Sequence, residues 1–200
     1  MRVLQVLPRQ KSRFVVKLED GESLIVSRSF MMKFSIRVGD DLSDREVDDL
    51  RAESKRMIRN RILKIITRRE IAASEIARRL NREGYNKKDT QLVIDQLKGS
   101  SLIDDGRFVR SLIHDWSKIH PRGNRAIIRE LKRNGINPED YDDLLKERDE
   151  LAIARSFVSR KQIRIDGKIQ RERLMRMLAR RGFSQEVISQ VIRELGDGLQ

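Results

Sequence analysis

Three glycines, Gly84, Gly135 and Gly182, stand 51 and 47 residues apart in matching surroundings. Four residues before each is a leucine: Leu80, Leu131 and Leu178. Directly behind each is a large apolar residue, Tyr85, Ile136 or Phe183, and then a helix-capping residue, Asn86, Asn137 or Ser184. In the second copy Pro138 occupies the favoured first helical position. Nine residues past the glycines come Val93, Leu144 and Val191. A glycine in the left-handed conformation ends a helix, and the apolar residue behind it folds back on the last turn. In the third copy Leu174, Met177 and Leu178 make one apolar stripe before the corner. Val187, Ile188, Val191, Ile192 and Leu195 share a face after it. Another apolar-periodic segment precedes each pair, at residues 57–66, 108–119 and 151–158. The repeat is therefore three helices long and occurs three times, which predicts stacked helical modules. The expected fold is mainly α: modules at 51–103, 104–148 and 149–200 in an elongated array, right-handed or curved. A small β-hairpin region with a short helix, residues 1–50, precedes them as a cap.

Within that cap, Phe14, Val16 and Leu18 alternate with outward positions, and Asp20-Gly21 is a two-residue hairpin turn. Leu24 and Val26 continue the alternation on the return strand, and Val3 to Leu7 reads as a possible third strand ended by Pro8. A short helix around Phe30, Met31 and Phe34 is broken at Gly39. Ser43-Asp-Arg-Glu46 is a capping-box sequence that opens the next helix. A helix break is expected near Arg68-Arg69-Glu70. Phe108, Leu112, Ile113 and Trp116 are expected to form a wide apolar face, with Trp116 in the core. Arg160 to Lys168 reads as a long loop, and the tail after Leu195 as frayed.

Composition narrows the function. No cysteine is present, so neither a disulfide framework nor thiolate chemistry is available. No apolar run approaches bilayer-spanning length and no signal-peptide core opens the chain, which predicts a cytoplasmic protein. His114 and His120 lack a completing acidic or cysteine ligand, and Asp104-Asp105 fits helix capping better than paired-carboxylate chemistry. With no nucleophile–base pair and no phosphate-cradling glycine loop, no enzyme, metal or cofactor is expected.

The net charge of +13 points instead to a polyanionic partner, or to a protein carrying one. Residues 51–103 hold fourteen basic and six acidic side chains, and 151–200 hold eleven and five; 1–50 and 104–150 are close to balanced. The repeat organises this charge. Arg78, Arg129 and Arg176 stand six residues before the glycines; Arg82, Arg133 and Arg180 stand two before. Each pair is spaced i, i+4 and shares a face of a middle helix. Arg79, Lys132, Arg171, Arg173 and Arg181 add to those helices. A solvated face that complements helix dipoles accounts for any one pair. It accounts less well for three matched pairs and the overall excess. Arginine also suits bidentate contact with phosphate or carboxylate.

Three stretches carry a family resemblance: Leu102-Ile-Asp-Asp-Gly-Arg-Phe108, Ile127-Ile-Arg-Glu-Leu-Lys-Arg-Asn-Gly-Ile136 and Arg180-Arg-Gly-Phe-Ser-Gln-Glu-Val-Ile188. Over about residues 52–195 the chain resembles the RecX family of recombination regulators. It departs from that pattern at Arg69-Glu-Ile-Ala72, where a serine cap is usual, and at Ala126, where many members carry a basic residue. The resemblance implies a non-enzymatic partner of the RecA recombinase filament on single-stranded DNA. Such a protein binds in the filament groove and restrains ATP hydrolysis, strand exchange and co-protease activity. With such a partner, the matched positions and the charge excess predict that the eleven basic residues named above engage the filament or its DNA, and the protein is expected to be a monomer. Two other readings stand beside it: a direct DNA-binding helical repeat independent of RecA, and a helical scaffold for an acidic protein. Base-reading Asn or Gln would mark the first, yet arginine dominates these faces and Asn81 stands nearly alone.

Overall fold

The structure is a computed structural model that describes residues 1–9, 12–163 and 167–197. It divides into two compact units, Met1–Asp104 and Asp105–Gln200.

In the first unit, strands β1 (Val3–Arg9), β2 (Arg13–Leu18) and β3 (Ser23–Ser27) form an antiparallel sheet in the order β1-β2-β3. The turn expected of two residues, Asp20-Gly21, has three. The Leu18 N–H donates to the Glu22 carbonyl at 2.9 Å and the Gly21 N–H to the Leu18 carbonyl at 3.0 Å, so Glu19, Asp20 and Gly21 make the loop, with Gly21 alone among them at positive φ, +84°. The third strand forms, but Pro8 does not end it. Pro8 pairs with Phe14, and the strand runs on to Arg9. An edge strand tolerates a residue with no N–H to donate.

Strand β3 is buried on both faces. Leu24 and Val26 join Val16, Leu18, Met31, Leu42, Val47 and Leu50 in one core. Ile25 joins Ile58, Ile62, Ile76, Leu80 and Leu97 in another. Helix α1 (Arg28–Phe34) follows the sheet, and helix α2 (Asp44–Ile66) supplies both cores. The boundary expected between residues 50 and 51 therefore falls inside α2. Ser43 and Glu46 form the capping box that starts this helix, and nothing interrupts it before Ile66. Glu53, buried on α2, ties helix to sheet by accepting hydrogen bonds from the Ser27 N–H at 3.3 Å and the Ser27 hydroxyl at 2.6 Å. Helices α3 (Ala73–Arg82) and α4 (Lys87–Gly99) complete the unit. The first residue of α3 follows Ala72, which makes no side-chain cap. Ile71, Ala72 and Ala73 are all buried, so packing holds the helix entry where a serine would bond it.

The second unit contains α5 (Asp105–Lys118), α6 (Asn124–Arg133), a 3-10 turn (Pro138–Tyr141), α7 (Asp142–Lys146), α8 (Glu150–Arg160), α9 (Lys168–Arg180) and α10 (Gln185–Asp197). The third helix expected of module two is thus reduced to a 3-10 turn and five α-helical residues. Its buried residue is Leu145, not Leu144. The apolar face of α5 is also narrower than its sequence suggests. Phe108 and Val109 are buried, while Leu112, Ile113 and Trp116 are half-buried, with the Arg122 guanidinium 4.8 Å from the Trp116 ring centroid. The expected loop at Arg160 to Lys168 is bracketed by the end of α8 and the start of α9, but Arg164–Asp166 lie outside the described residues. Helix α10 continues past Leu195 to Asp197, and residues 198–200 lie outside the described residues.

All three glycine corners have the geometry that the repeat predicts. Gly84, Gly135 and Gly182 have φ of +79°, +69° and +83°. Their N–H groups donate to the carbonyls of Asn81, Lys132 and Ala179, three residues back, at 3.0, 3.0 and 2.9 Å. The next N–H groups, of Tyr85, Ile136 and Phe183, donate to the carbonyls of Leu80, Leu131 and Leu178 at 3.1, 3.0 and 3.2 Å. These paired bonds use carbonyls that a helix end leaves without intrahelical partners, and they bring the apolar residue behind the corner over the leucine. All three leucines are fully buried. Asn86, Asn137 and Ser184 cap the following elements by accepting from backbone N–H groups.

In the second unit two glycines also permit a close backbone approach. The N–H of Gly123 donates to the Arg181 carbonyl and that of Arg125 to the Gly182 carbonyl, both at 3.1 Å. A Cβ on Gly123 would lie 2.3 Å from the Phe183 Cα, and one on Gly182 would lie 2.6 Å from the Ala126 Cβ. The start of α6 therefore packs on the corner of the third module only because Gly123 and Gly182 carry no Cβ.

Candidate functional site

The six matched arginines all lie exposed on their middle helices: Arg78 and Arg82 on α3, Arg129 and Arg133 on α6, Arg176 and Arg180 on α9. Modules one and three treat the pair alike. The Arg82 Nε donates to the Arg78 carbonyl at 3.4 Å, and the Arg180 Nε to the Arg176 carbonyl at 3.3 Å. In module two the second member differs: Arg133 pairs with Glu130 at 2.6 Å, so part of its charge is neutralised. Lys132, Arg171 and Arg173 are also exposed.

Two of the eleven predicted site residues are placed differently. Arg181 turns into the protein. Its guanidinium carbon lies 4.1 Å from the Phe157 ring centroid, and Nη1 donates to the Pro121 carbonyl at 2.9 Å. Desolvation, and then the nearby Arg122 charge, push its pKa down. It is a packing residue that fastens the loop before α6, because a guanidinium stacked on an aromatic ring has little face left for a partner. Arg79 lies off the line of Arg78 and Arg82 and reaches Glu83 at 3.4 Å.

Glu83 is the centre of a second basic region that the repeat did not reveal. Arg61 on α2 donates to both of its carboxylate oxygens, from Nε at 2.8 Å and from Nη2 at 2.6 Å. The hydrogen bond from Arg61 holds the Glu83 pKa below the usual carboxylate range, against a desolvation that would raise it. Arg9 from β1 donates to the Glu83 backbone carbonyl. Arg13 from β2 donates to the Tyr85 hydroxyl at 2.9 Å, with its guanidinium 6.0 Å from that ring's centroid. Around this cluster the sheet, α2 and α3 enclose a groove of about 990 Å³. Its basic lining residues are Arg13, Arg61, Lys64, Arg68, Arg69 and Arg79, against the single carboxylate of Glu83. Part of this was legible: Arg61 and Lys64 have the i, i+3 spacing of one helix face. The contribution of the sheet was not, because Arg13 meets Tyr85 only through a separation of 72 residues.

Among the described residues no three His, Cys, Asp or Glu side chains gather into a metal set. No described helix is long and apolar enough to cross a membrane.

Comparison with known proteins matches the second half of the chain to two family models. Residues 104–145 match the second three-helix domain of RecX, and 148–192 match its third. The regulatory protein RecX of Chlorobium limicola is 33% identical over 136 residues, 66% of this chain and 86% of that protein. That of Chromobacterium violaceum is 30% identical over 142 residues, covering 70% and 91%. The Bacillus licheniformis protein of the same name is 24% identical over 196 residues, covering 92% and 73%. Two crystal structures of RecX proteins share the fold. One, at 19% identity, covers 95% of this chain and 98% of its own with a TM-score of 0.59. The other, from Lactobacillus salivarius, is also 19% identical, covers 72% and 98%, and has a TM-score of 0.55.

Proposed function

Because the chain belongs to the RecX family of regulatory proteins, we propose that it binds the RecA recombinase filament assembled on single-stranded DNA. In this reading it restrains the filament's strand exchange, ATPase and co-protease activities. The observation that carries the reading is the exposed i, i+4 arginine pair at the same position in all three modules. Folding does not require those charges, and their mutual repulsion is relieved by a polyanion. The chain acts by occupancy, with no chemistry of its own: ATP turnover belongs to RecA. Charge steers the approach, while specificity for the filament comes from contacts to RecA, since phosphate attraction is blind to sequence. Modules one and three dominate, because module two spends Arg133 on Glu130 and lies in a nearly neutral stretch.

The test replaces Arg176 and Arg180 together by alanine in the full chain. Exposed side chains of this kind change stability by about 0.5 kcal/mol or less, so the melting temperature should hold. The concentration needed to inhibit RecA strand exchange should rise several-fold, and the Arg129/Arg133 double variant should show a smaller rise. A folded Arg176/Arg180 variant that inhibits at wild-type concentrations would remove the arginine pairs from the mechanism. Binding to bare single-stranded DNA, bare RecA and the assembled filament in parallel separates the filament reading from direct DNA binding. Equal affinity for bare DNA and filament would favour the latter.

A further inference from the structure

We infer that the groove between the N-terminal sheet and helix α2 is a binding site for the sugar–phosphate backbone of single-stranded nucleic acid. The inference deepens the reading above and rests on it for the identity of the polyanion, but it places the binding where the repeat does not.

Its first support is an imbalance of charge in a concave place. Six basic side chains face the groove with one carboxylate, and that carboxylate is already engaged. Arg61 takes both Glu83 oxygens and Arg79 reaches one of them, so Glu83 fixes two guanidinium groups against the wall. Arg69 is held at 2.9 Å by Glu75, which does not line the groove. Lys64 and Arg68 are exposed and make no ion pair among the described residues. A cleft lined by one sign of charge, with low-dielectric walls, concentrates the field and attracts the opposite charge more strongly than the same residues on a convex face.

The second support is what the groove lacks. Acidic protein segments are recognised through buried aromatic or aliphatic anchors as well as charge. Here Ile65 is 5% exposed and Tyr85 4%, Met57 is half-buried, and Arg13 sits over the Tyr85 ring, so no aromatic or branched aliphatic side chain of the lining stands open as an anchor. What remains accessible is mainly arginine, lysine, Asn60 and Thr67. That set tracks a phosphate backbone. With no open aromatic face to stack a base, binding is sequence-tolerant.

The third support is how the groove is built. The Glu83 cluster joins strand β1 through Arg9, strand β2 through Arg13 and Tyr85, and helix α2 through Arg61. The sheet therefore does more than cover the first module: it forms one wall of the groove and orders the basic residues of the other.

The experiment uses the full chain and a fluorescein-labelled oligothymidylate, with anisotropy followed over a range of potassium chloride concentrations. Replacing Lys64 and Arg68 together by alanine should weaken binding by about tenfold or more at low salt. It should also flatten the slope of log K against log salt by about 1.4, that is, about 0.7 for each phosphate no longer neutralised. Arg13→Ala, on the sheet wall, should weaken binding as well. The double variant's melting temperature should stay at the wild-type value, which separates weaker binding from unfolding. Oligothymidylate binding that keeps its wild-type affinity and slope in the double variant overturns the groove. So does displacement by poly-aspartate as effective as displacement by unlabelled oligothymidylate at matched ionic strength. Inhibition of RecA strand exchange by the wild-type chain is read separately. If that fails while the oligonucleotide results hold, the filament reading falls and the groove stands.

Discussion

At the glycine corners, conformation and surroundings make separate demands on one residue. All three glycines have positive φ, where a Cβ costs about 1–2 kcal/mol. Around Gly135 a Cβ would meet nothing within 4 Å, so Gly135→Ala should cost little beyond that. At Gly84 the Cβ would come 2.6 Å from Nη1 of Arg9, the far end of a flexible side chain, which can move at the loss of its bond to the Glu83 carbonyl. At Gly182 the obstacle is the Ala126 backbone nitrogen at 2.5 Å, which cannot move without opening the joint to α6. Gly182→Ala should therefore cost about 3 kcal/mol or more, the strain of left-handed conformation plus overpacking. Denaturant midpoints of the three variants should rank Gly135→Ala above Gly84→Ala above Gly182→Ala, and equal midpoints would show that the close approach carries no energy. These corners were legible because glycine is the residue that left-handed backbone favours. Ser101 and Gln162, with φ of +55° and +50°, turn the chain in the same way after α4 and α8. They were not legible, because their composition gives no sign of it: the tertiary fold holds them in a conformation their side chains disfavour.

Among the elements, the sequence pattern was most misleading in module two. Asn137 and Pro138 gave a correct helix start, but the segment after them closes as a 3-10 turn and a short α7 with one buried side chain, Leu145. Start signals are local, whereas helix length is set by how much of a face finds something to pack against. What holds this region is Arg148, and no pattern announces it. Its guanidinium donates to the Ser117 hydroxyl at 3.0 Å, the Trp116 carbonyl at 3.4 Å, the Arg122 carbonyl at 2.9 Å and the Asn124 side-chain oxygen. Three of those four acceptors lie at the end of α5 and the start of α6, and two are backbone carbonyls, which every residue type has. Desolvation pushes the Arg148 pKa down, yet arginine remains charged at any ordinary pH. Arg148→Met keeps the aliphatic stem and removes the fork, and should destabilise the protein by about 3 kcal/mol, since hydrogen bonds to a charged group contribute about 1.5–3 kcal/mol. Arg148→Lys should recover only part of the loss, because one ammonium cannot reach acceptors spread as widely as a planar fork. A thermal melt in which Arg148→Met matches the wild type would show that the α5–α6 joint is held by packing alone.

For the molecule as a whole, the fall of apolar residues into cores divides the chain differently from the repeat. The repeat predicts three modules at 51–103, 104–148 and 149–200, with residues 1–50 as a cap on their end. Instead, Ile25 of the sheet lies in the same core as Ile58, Leu80 and Leu97 of the first module, and α2 serves both the sheet core and the module core. Cap and first module are one body, Met1–Asp104, and the sequence did not show this because the two-sided burial of β3 depends on partners far along the chain. In Asp105–Gln200 the largest core belongs to the third module, through Phe157, Leu174, Leu178, Phe183 and Val191. About 100 residues with a core of their own suffice for independent folding, at about 0.05–0.15 kcal/mol per residue. Expressed separately, residues 1–104 should therefore melt in a single cooperative transition. Residues 105–200 should also fold, but with a lower midpoint. Their second module buries little beyond Phe108, Val109, Ala126, Ile127, Leu131 and Leu145, and leaves Leu112, Ile113 and Trp116 half-buried. Calorimetry of the two fragments checks both statements. A fragment 1–104 that lacked a cooperative transition would mean that the sheet and first module depend on the rest of the chain. Cooperative folding of that fragment would let its affinity for oligothymidylate be measured with the arginines of α6 and α9 absent.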